Sequence, residues 1–263
     1  MMSEQHVAVQ RHGAVAEVRI DRPQAFNALN SAILRRLGDE IAALAESKDV
    51  RSIVITGTGD KAFSAGADLD ELAGLSVDEA TPVMRDGQAV IRSIEQSPVP
   101  VVAAVNGLAL GGGFELVLAC SFAVASHRAG FALPEAGLGL IPGYGGTQRL
   151  ARVVGPAVAR HAMLTGRRID AERAYHLGIT VLPPVEPWEL MPTALAAAGE
   201  VAQRGPAACR AIIEAVDVGL DSPLDAGLDL ETRLAATAIG GPESVEGIAA
   251  FREKRTPKFE VTT

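Results

Sequence analysis

Two glutamates sit in text that otherwise excludes charge. Glu115 lies in FELVLAC, two residues after Gly113, and Glu135 lies in FALPEAGLGLIP. A carboxylate among apolar and small residues loses its hydration, so it needs hydrogen-bond partners or a chemical task. Singly, each reads as a satisfied buried acid or as a favourable charge at a helix start. Together, two such acids beside glycine-rich turns favour a general acid/base pair. The glycines fall in G-x-x-x-G-G-G, from Gly107 to Gly113, which runs into helical text. The first N–H groups of a helix have no internal acceptor, and glycine lets a ligand oxygen come close to them. Ala65-Gly66-Ala67-Asp68 has the same character, with small residues ahead of another helix start. One exposed N–H from each turn would make an oxyanion hole, holding a carbonyl oxygen as it gains negative charge.

Other chemistries find no pattern. Neither G-x-G-x-x-G nor G-x-x-x-x-G-K-[ST] occurs, so a dinucleotide fingerprint and a P-loop are both unsupported. His6, His12, His127, His161 and His176 lack H-x-x-x-H spacing and do not pair with cysteines, so no metal site is expected. Ser64 stands in F-S-A-G and not in a G-x-S-x-G elbow. Tyr144 and Trp188 read as packing or loop residues. Cys120 and Cys209 lie far apart and read as reduced thiols.

The elements that must carry these turns can be read from periodicity. Residues 14–20 alternate and predict a strand. Ile33, Leu34, Leu37, Ile41 and Leu44 fall at helical spacing after Asn30, a plausible N-cap. SIVIT (52–56) is a buried strand, KAFSAG a second short extended piece, and ADLDEL starts a helix. PVVAAV (100–105), LALGGG and FELVLACSF repeat that layout. FAVAS (122–126), FALPE (131–135) and a helix from Tyr144 repeat it more loosely. The expected fold is α/β, a spiral of repeated ββα units rather than a Rossmann alternation. Residues 74–92 carry no readable signal. From about residue 185 the text is helical, which predicts a core over 1–190 and a helical appendage over 191–263 that packs on another subunit.

Composition sets outer bounds. The 263 residues carry 24 Lys+Arg against 32 Asp+Glu, a net charge of −8 that disfavours nucleic acid as a partner. The most apolar stretch, Val99 to Ala125, is broken by Pro100, Asn106, glycines and Glu115, so no membrane partner is expected. With no export signal read at the N-terminus, the expected location is cytoplasmic.

Taken in order, RPQAFNALN (22–30), KAFSAGADLDEL (61–72), AAVNGLALGGGFEL (103–116), FALPEAGLGLIPGYGGTQRL (131–150), LTGRRIDAERAYHLGI (164–179) and EGIAAFREKRTPKF (246–259) resemble the enoyl-CoA hydratase/isomerase (crotonase) superfamily. The resemblance covers nearly the whole chain. It implies an acyl-CoA thioester substrate, with coenzyme A part of that substrate and no separate cofactor. It implies the backbone N–H groups of Ala65 and Gly112 as oxyanion donors. Glu115 would serve chiefly the attacking water, and Glu135 chiefly proton delivery at C2. By the same resemblance Gly143 would help place the water, Ala65, Gly66, Ala67 and Asp68 would line the acyl-CoA groove, and Lys254 would approach the CoA 3′-phosphate, a contact often supplied by another subunit. It further implies a homotrimer or a dimer of trimers. The activity expected is enoyl-CoA hydratase, a hydro-lyase. The alternatives are a carnitinyl-CoA dehydratase-type or isomerase member, or a non-catalytic acyl-CoA-binding protein. Gln24 departs from the family, where lysine is common, and so does GITVLPPVEP (178–187).

Overall fold

The structure, a computed structural model, describes residues 6–259. Its elements in chain order are β1 (Val7–His12), β2 (Val15–Ile20), α1 (Ser31–Glu46), β3 (Ser52–Gly57), β4 (Ala62–Ser64), α2 (Leu69–Leu72) and α3 (Val77–Glu95). Then come β5 (Val101–Val105), β6 (Leu108–Leu110), α4 (Gly112–Ala119), β7 (Phe122–Ala125), β8 (Gly130–Ala132) and a 3₁₀ turn (Glu135–Leu138). The rest comprises α5 (Gly146–Val154), α6 (Pro156–Thr165), β9 (Ile169–Asp170), α7 (Ala171–His176), α8 (Leu190–Ala202), α9 (Pro206–Leu220), α10 (Leu224–Ile239) and α11 (Pro242–Glu253).

Each ββα unit sends its first strand to one sheet and its second to another. The larger sheet has the order β1-β2-β3-β5-β7 and the smaller β4-β6-β8-β9. Pairing is parallel from β2 to β7 and from β4 to β8, while β1 and β9 close one edge each in antiparallel sense. The first unit has only a single-residue second strand, the bridge of Leu29 to Ala67. The spiral expected from the repeated layout is therefore the observed one.

Burial on both faces explains why the strand text is almost continuously apolar. Ile53, Ile55, Val101, Ala103 and Val105 face a core shared with α1, Phe63, Phe114 and Phe131. Val54, Val102, Ala104 and Val124 face the other way, onto Leu190, Ala194 and Ala198 of α8. Alanines on both sides allow that helix to lie close, and Ser52 Oγ donates to the Ala198 carbonyl at 2.8 Å. Inside the main core the Phe114 and Phe131 rings tilt against each other, centroids 5.3 Å apart, directly beneath the start of α4.

β1 and α3 escape the sequence reading, as do α6, β9 and α7. β1 is an edge strand whose middle residues are exposed, so its apolar text is thin. α3 fills the stretch that carried no readable signal. Its start is nonetheless written in Ser76 and Glu79, a capping box in which Ser76 Oγ accepts from Glu79 N while Glu79 accepts from Ser76 N.

Candidate active site

Two backbone turns meet at the site. After β4 the chain turns through Gly66, whose φ of +92° suits glycine. A Cβ there would stand 2.6 Å from the Leu110 carbonyl and 2.9 Å from Gly112 N. Only a bare backbone can lie this close to the start of α4. Leu29 holds the turn from behind: its N–H donates to the Gly66 carbonyl at 2.7 Å and its carbonyl accepts from Asp68 N at 3.1 Å. That bridge leaves the N–H of Ala67 aimed the other way, towards Gly112. The place a Cβ of Gly112 would take is 3.4 Å from Ala67 N. Gly112 itself opens α4, so its N–H has no acceptor within the helix.

This geometry corrects one assignment. Ala65, read above as the first oxyanion donor, already donates its N–H to the Phe26 carbonyl at 2.9 Å. The unengaged donor of that turn is Ala67, two residues on. In a chain bridged through alternate residues, neighbouring N–H groups point to opposite sides, and the spacing of small residues alone does not say which one is free.

Glu115 projects from the first turn of α4 and is 1% exposed. Its Oε1 accepts from Tyr144 N at 2.8 Å and Gly146 N at 2.6 Å. Burial pushes its carboxyl up to about 7, the two N–H bonds pull the other way, and the charge of Glu135 adds to the rise. Glu135 begins the 3₁₀ turn. A Cβ on Gly111 would stand 3.0 Å from its Oε1, so this carboxylate overhangs the glycine turn. Its Oε2 is buried without a hydrogen-bond partner among the described residues. Burial raises this carboxyl too, partly offset by its own backbone N–H. Burial thus favours the protonated form of both acids.

The loop that holds Glu115 is itself clamped. Gln88 Nε2 donates to the Gly143 carbonyl at 2.8 Å. Arg149 Nη1 donates to the Tyr144 carbonyl at 2.8 Å, while its Nε and Nη2 reach Glu95 at 2.9 and 2.7 Å. Neither Arg149 nor Glu95 was singled out from the sequence. The GGTQR text (145–149) holds the clue: an arginine one turn after a glycine loop can reach back to its carbonyls.

Ala67, Gly66, Gly112, Glu115, Glu135 and Gly143 are thus brought together. Asp68 adjoins them but is committed elsewhere, capping Asp70 N at 3.2 Å and pairing with Arg22 at 2.6 Å, a bond that lowers its carboxyl below the usual range. Lys254 stands apart: it is exposed at the end of α11, a helix that packs against α10. Among the described residues no group of three or more His, Cys, Asp and Glu could hold a metal ion. No helix among them is long and apolar enough to cross a membrane.

A strand-pair spiral carrying two unengaged backbone donors beside one buried and one half-buried acid defines a class, and similarity to known proteins gives the same one. The family described as enoyl-CoA hydratase/isomerase matches residues 10–262, and the chain belongs to it. It is 39% identical over 258 residues to a crotonyl-CoA hydratase of Syntrophomonas wolfei, covering 98% of this chain and 99% of that one. It is 37% identical over 254 residues to a short-chain-enoyl-CoA hydratase of Clostridium acetobutylicum, covering 97% of each. The fold superposes on the crystal structure of an enoyl-CoA hydratase from Bacillus anthracis with a TM-score of 0.94 at 37% identity, over 98% of this chain and 100% of that one.

Proposed function

We propose that this chain is an enoyl-CoA hydratase that adds water across the C2=C3 bond of a trans-2-enoyl-CoA thioester. The observation that carries the reading is that the Glu135 carboxyl overhangs Gly111 while Glu115, three residues after Gly112, is held by two loop N–H groups, so both acids adjoin the turn that bares the Gly112 N–H. The thioester oxygen sits between the N–H groups of Ala67 and Gly112. Glu115 takes a proton from water as its oxygen bonds to C3, and the C2=C3 electrons move onto the thioester oxygen as an enolate. Glu135 then delivers a proton to C2, the carbonyl reforms, and the water proton left on Glu115 passes back to Glu135, which resets both acids. Water supplies every added atom, no electron leaves the substrate, and no cofactor beyond the substrate's own coenzyme A is called for. The donors act by being fixed before charge develops, and losing one costs about 3 kcal/mol of transition-state stabilisation.

An isomerase moves a proton between C2 and C4 and needs only one acid. The second acid, fastened by two N–H bonds, favours hydration. The same groups run dehydration in reverse. Exposed apolar residues along the last helices, with Phe251 84% and Ile239 76% exposed, support association into a homotrimer or a dimer of trimers. Light scattering that finds a monomer at working concentration refutes that part. The functional test is hydration of crotonyl-CoA, followed by loss of the conjugated thioester absorbance. Glu115→Gln and Glu135→Gln should each slow it by about 10²–10⁴-fold with acyl-CoA binding retained. An unchanged rate in either variant removes that residue from the mechanism.

A further inference from the structure

The Tyr144 side chain has no part in the chemistry above, which uses only its backbone N–H. Its ring is nevertheless 5% exposed and wedged beside the reacting position. One ring edge faces α3: a Cβ added at Gly87 would meet Cζ at 2.7 Å and Cδ1 at 2.8 Å, with Cε1 closer still. The opposite edge faces the oxyanion turn. A Cβ added at Gly112 would meet Cδ2 at 2.9 Å and Cε2 at 3.0 Å, and the same point is 3.4 Å from Ala67 N. The ring therefore closes the gap between α3 and the two backbone donors. Both flanking positions are glycine; Gly112 opens α4, and Gly87 lies in the interior of α3, where glycine is otherwise a poor choice. Here it makes room for the ring.

This wall cannot swing aside easily. Gln88, next to Gly87, and Met84, about one turn before it, hold Gly143: Gln88 bonds its carbonyl at 2.8 Å, and a Cβ on Gly143 would lie 2.8 Å from Met84 Sδ. Arg149 bonds the Tyr144 carbonyl at 2.8 Å, and the Tyr144 N–H is spent on Glu115 at 2.8 Å. Moving the ring by moving its backbone would disturb the acid it supports.

We infer that the Tyr144 ring is the end wall of the acyl site and restricts this enzyme to short-chain acyl thioesters. The inference rests on the hydratase reading for its chemistry but not for the wall. An apolar pocket discriminates by about 10-fold or more for a methylene it cannot accommodate. A rigid ring beside the thioester carbonyl is therefore expected to separate four-carbon from ten-carbon chains by at least two powers of ten in kcat/KM.

The test is a series of trans-2-enoyl-CoA thioesters from four to ten carbons, assayed with the full chain and with Tyr144→Ala, Tyr144→Leu and Tyr144→Phe. The wild type should prefer four carbons. Tyr144→Ala should raise the ten-to-four-carbon ratio at least ten-fold, and Tyr144→Leu, which preserves packing better, should raise it less. Tyr144→Phe should keep the wild-type ratio whatever its absolute rate. A flat wild-type profile, or variants that scale all lengths alike, overturns the wall. Calorimetric binding of saturated butyryl-CoA and decanoyl-CoA separates the two readings. A shifted binding ratio without any hydration keeps the wall and removes the hydratase; hydration with an unshifted ratio does the reverse.

Discussion

Glu115→Gln should make the protein more stable and nearly inactive at once. The carboxyl ionises near 4.5 in an unfolded chain and at about 7 in the folded one. The unfolded state therefore releases its proton more readily, and the folded state loses ground as pH rises between those values. Below about 4.5 both states are protonated and the glutamate carries no such cost. Above about 7 the cost is complete, about 3 kcal/mol at ~1.4 kcal/mol per pH unit between the two values. Glutamine is neutral and nearly isosteric, and its Oε1 can still accept from Tyr144 N and Gly146 N. Thermal denaturation should show the variant melting several degrees higher at pH 8, at roughly 2–4 °C per kcal/mol for a chain of this size. The gap should close towards pH 5, while hydration stays about 10²–10⁴-fold slower throughout. A variant that melts lower than wild type at pH 8, or by a margin independent of pH, refutes the reasoning. Glu115 would then be a stabilising buried acid rather than a strained one.

Three further outcomes follow from the same geometry. Because Glu115 takes a proton only when ionised, kcat/KM for hydration should fall about ten-fold per pH unit below about 7, and a rate independent of pH from 5 to 8 counts against it. Arg149→Lys cannot hold Glu95 and the Tyr144 carbonyl together as the guanidinium does, so kcat should drop about ten-fold with KM little changed; steady-state kinetics decide. Gly66→Ala forces a side chain into the Leu110 carbonyl at a φ of +92° and should cost about 10²–10³-fold in kcat by displacing the Ala67 N–H, measurable in the crotonyl-CoA assay.

What the sequence made legible was whatever repeats or stands out against its surroundings. Strands buried on both faces leave apolar runs, α1 announces itself by its spacing after Asn30, and a glutamate in FELVLAC is conspicuous because solvation makes it so. The misplaced donor shows where that kind of reading stops. Ala65 and Ala67 are the same residue type on either side of Gly66, and nothing in their identity says which N–H faces the site. The answer lies in Leu29, nearly forty residues earlier, whose bridge takes the Gly66 carbonyl and Asp68 N while Phe26 takes Ala65 N. Tyr144 is a parallel case. Its type is unremarkable after Pro142-Gly143, and its position becomes meaningful only when α3 brings Gly87 against one edge of the ring and α4 brings Gly112 against the other. The chemistry is written locally, in acids and bare amides, whereas the choice of amide and the reach of the substrate depend on pairings between distant turns of the spiral. Variation among related chains at positions such as Gly87 and Tyr144 should therefore alter which thioester is accepted, while leaving the two-acid reaction intact.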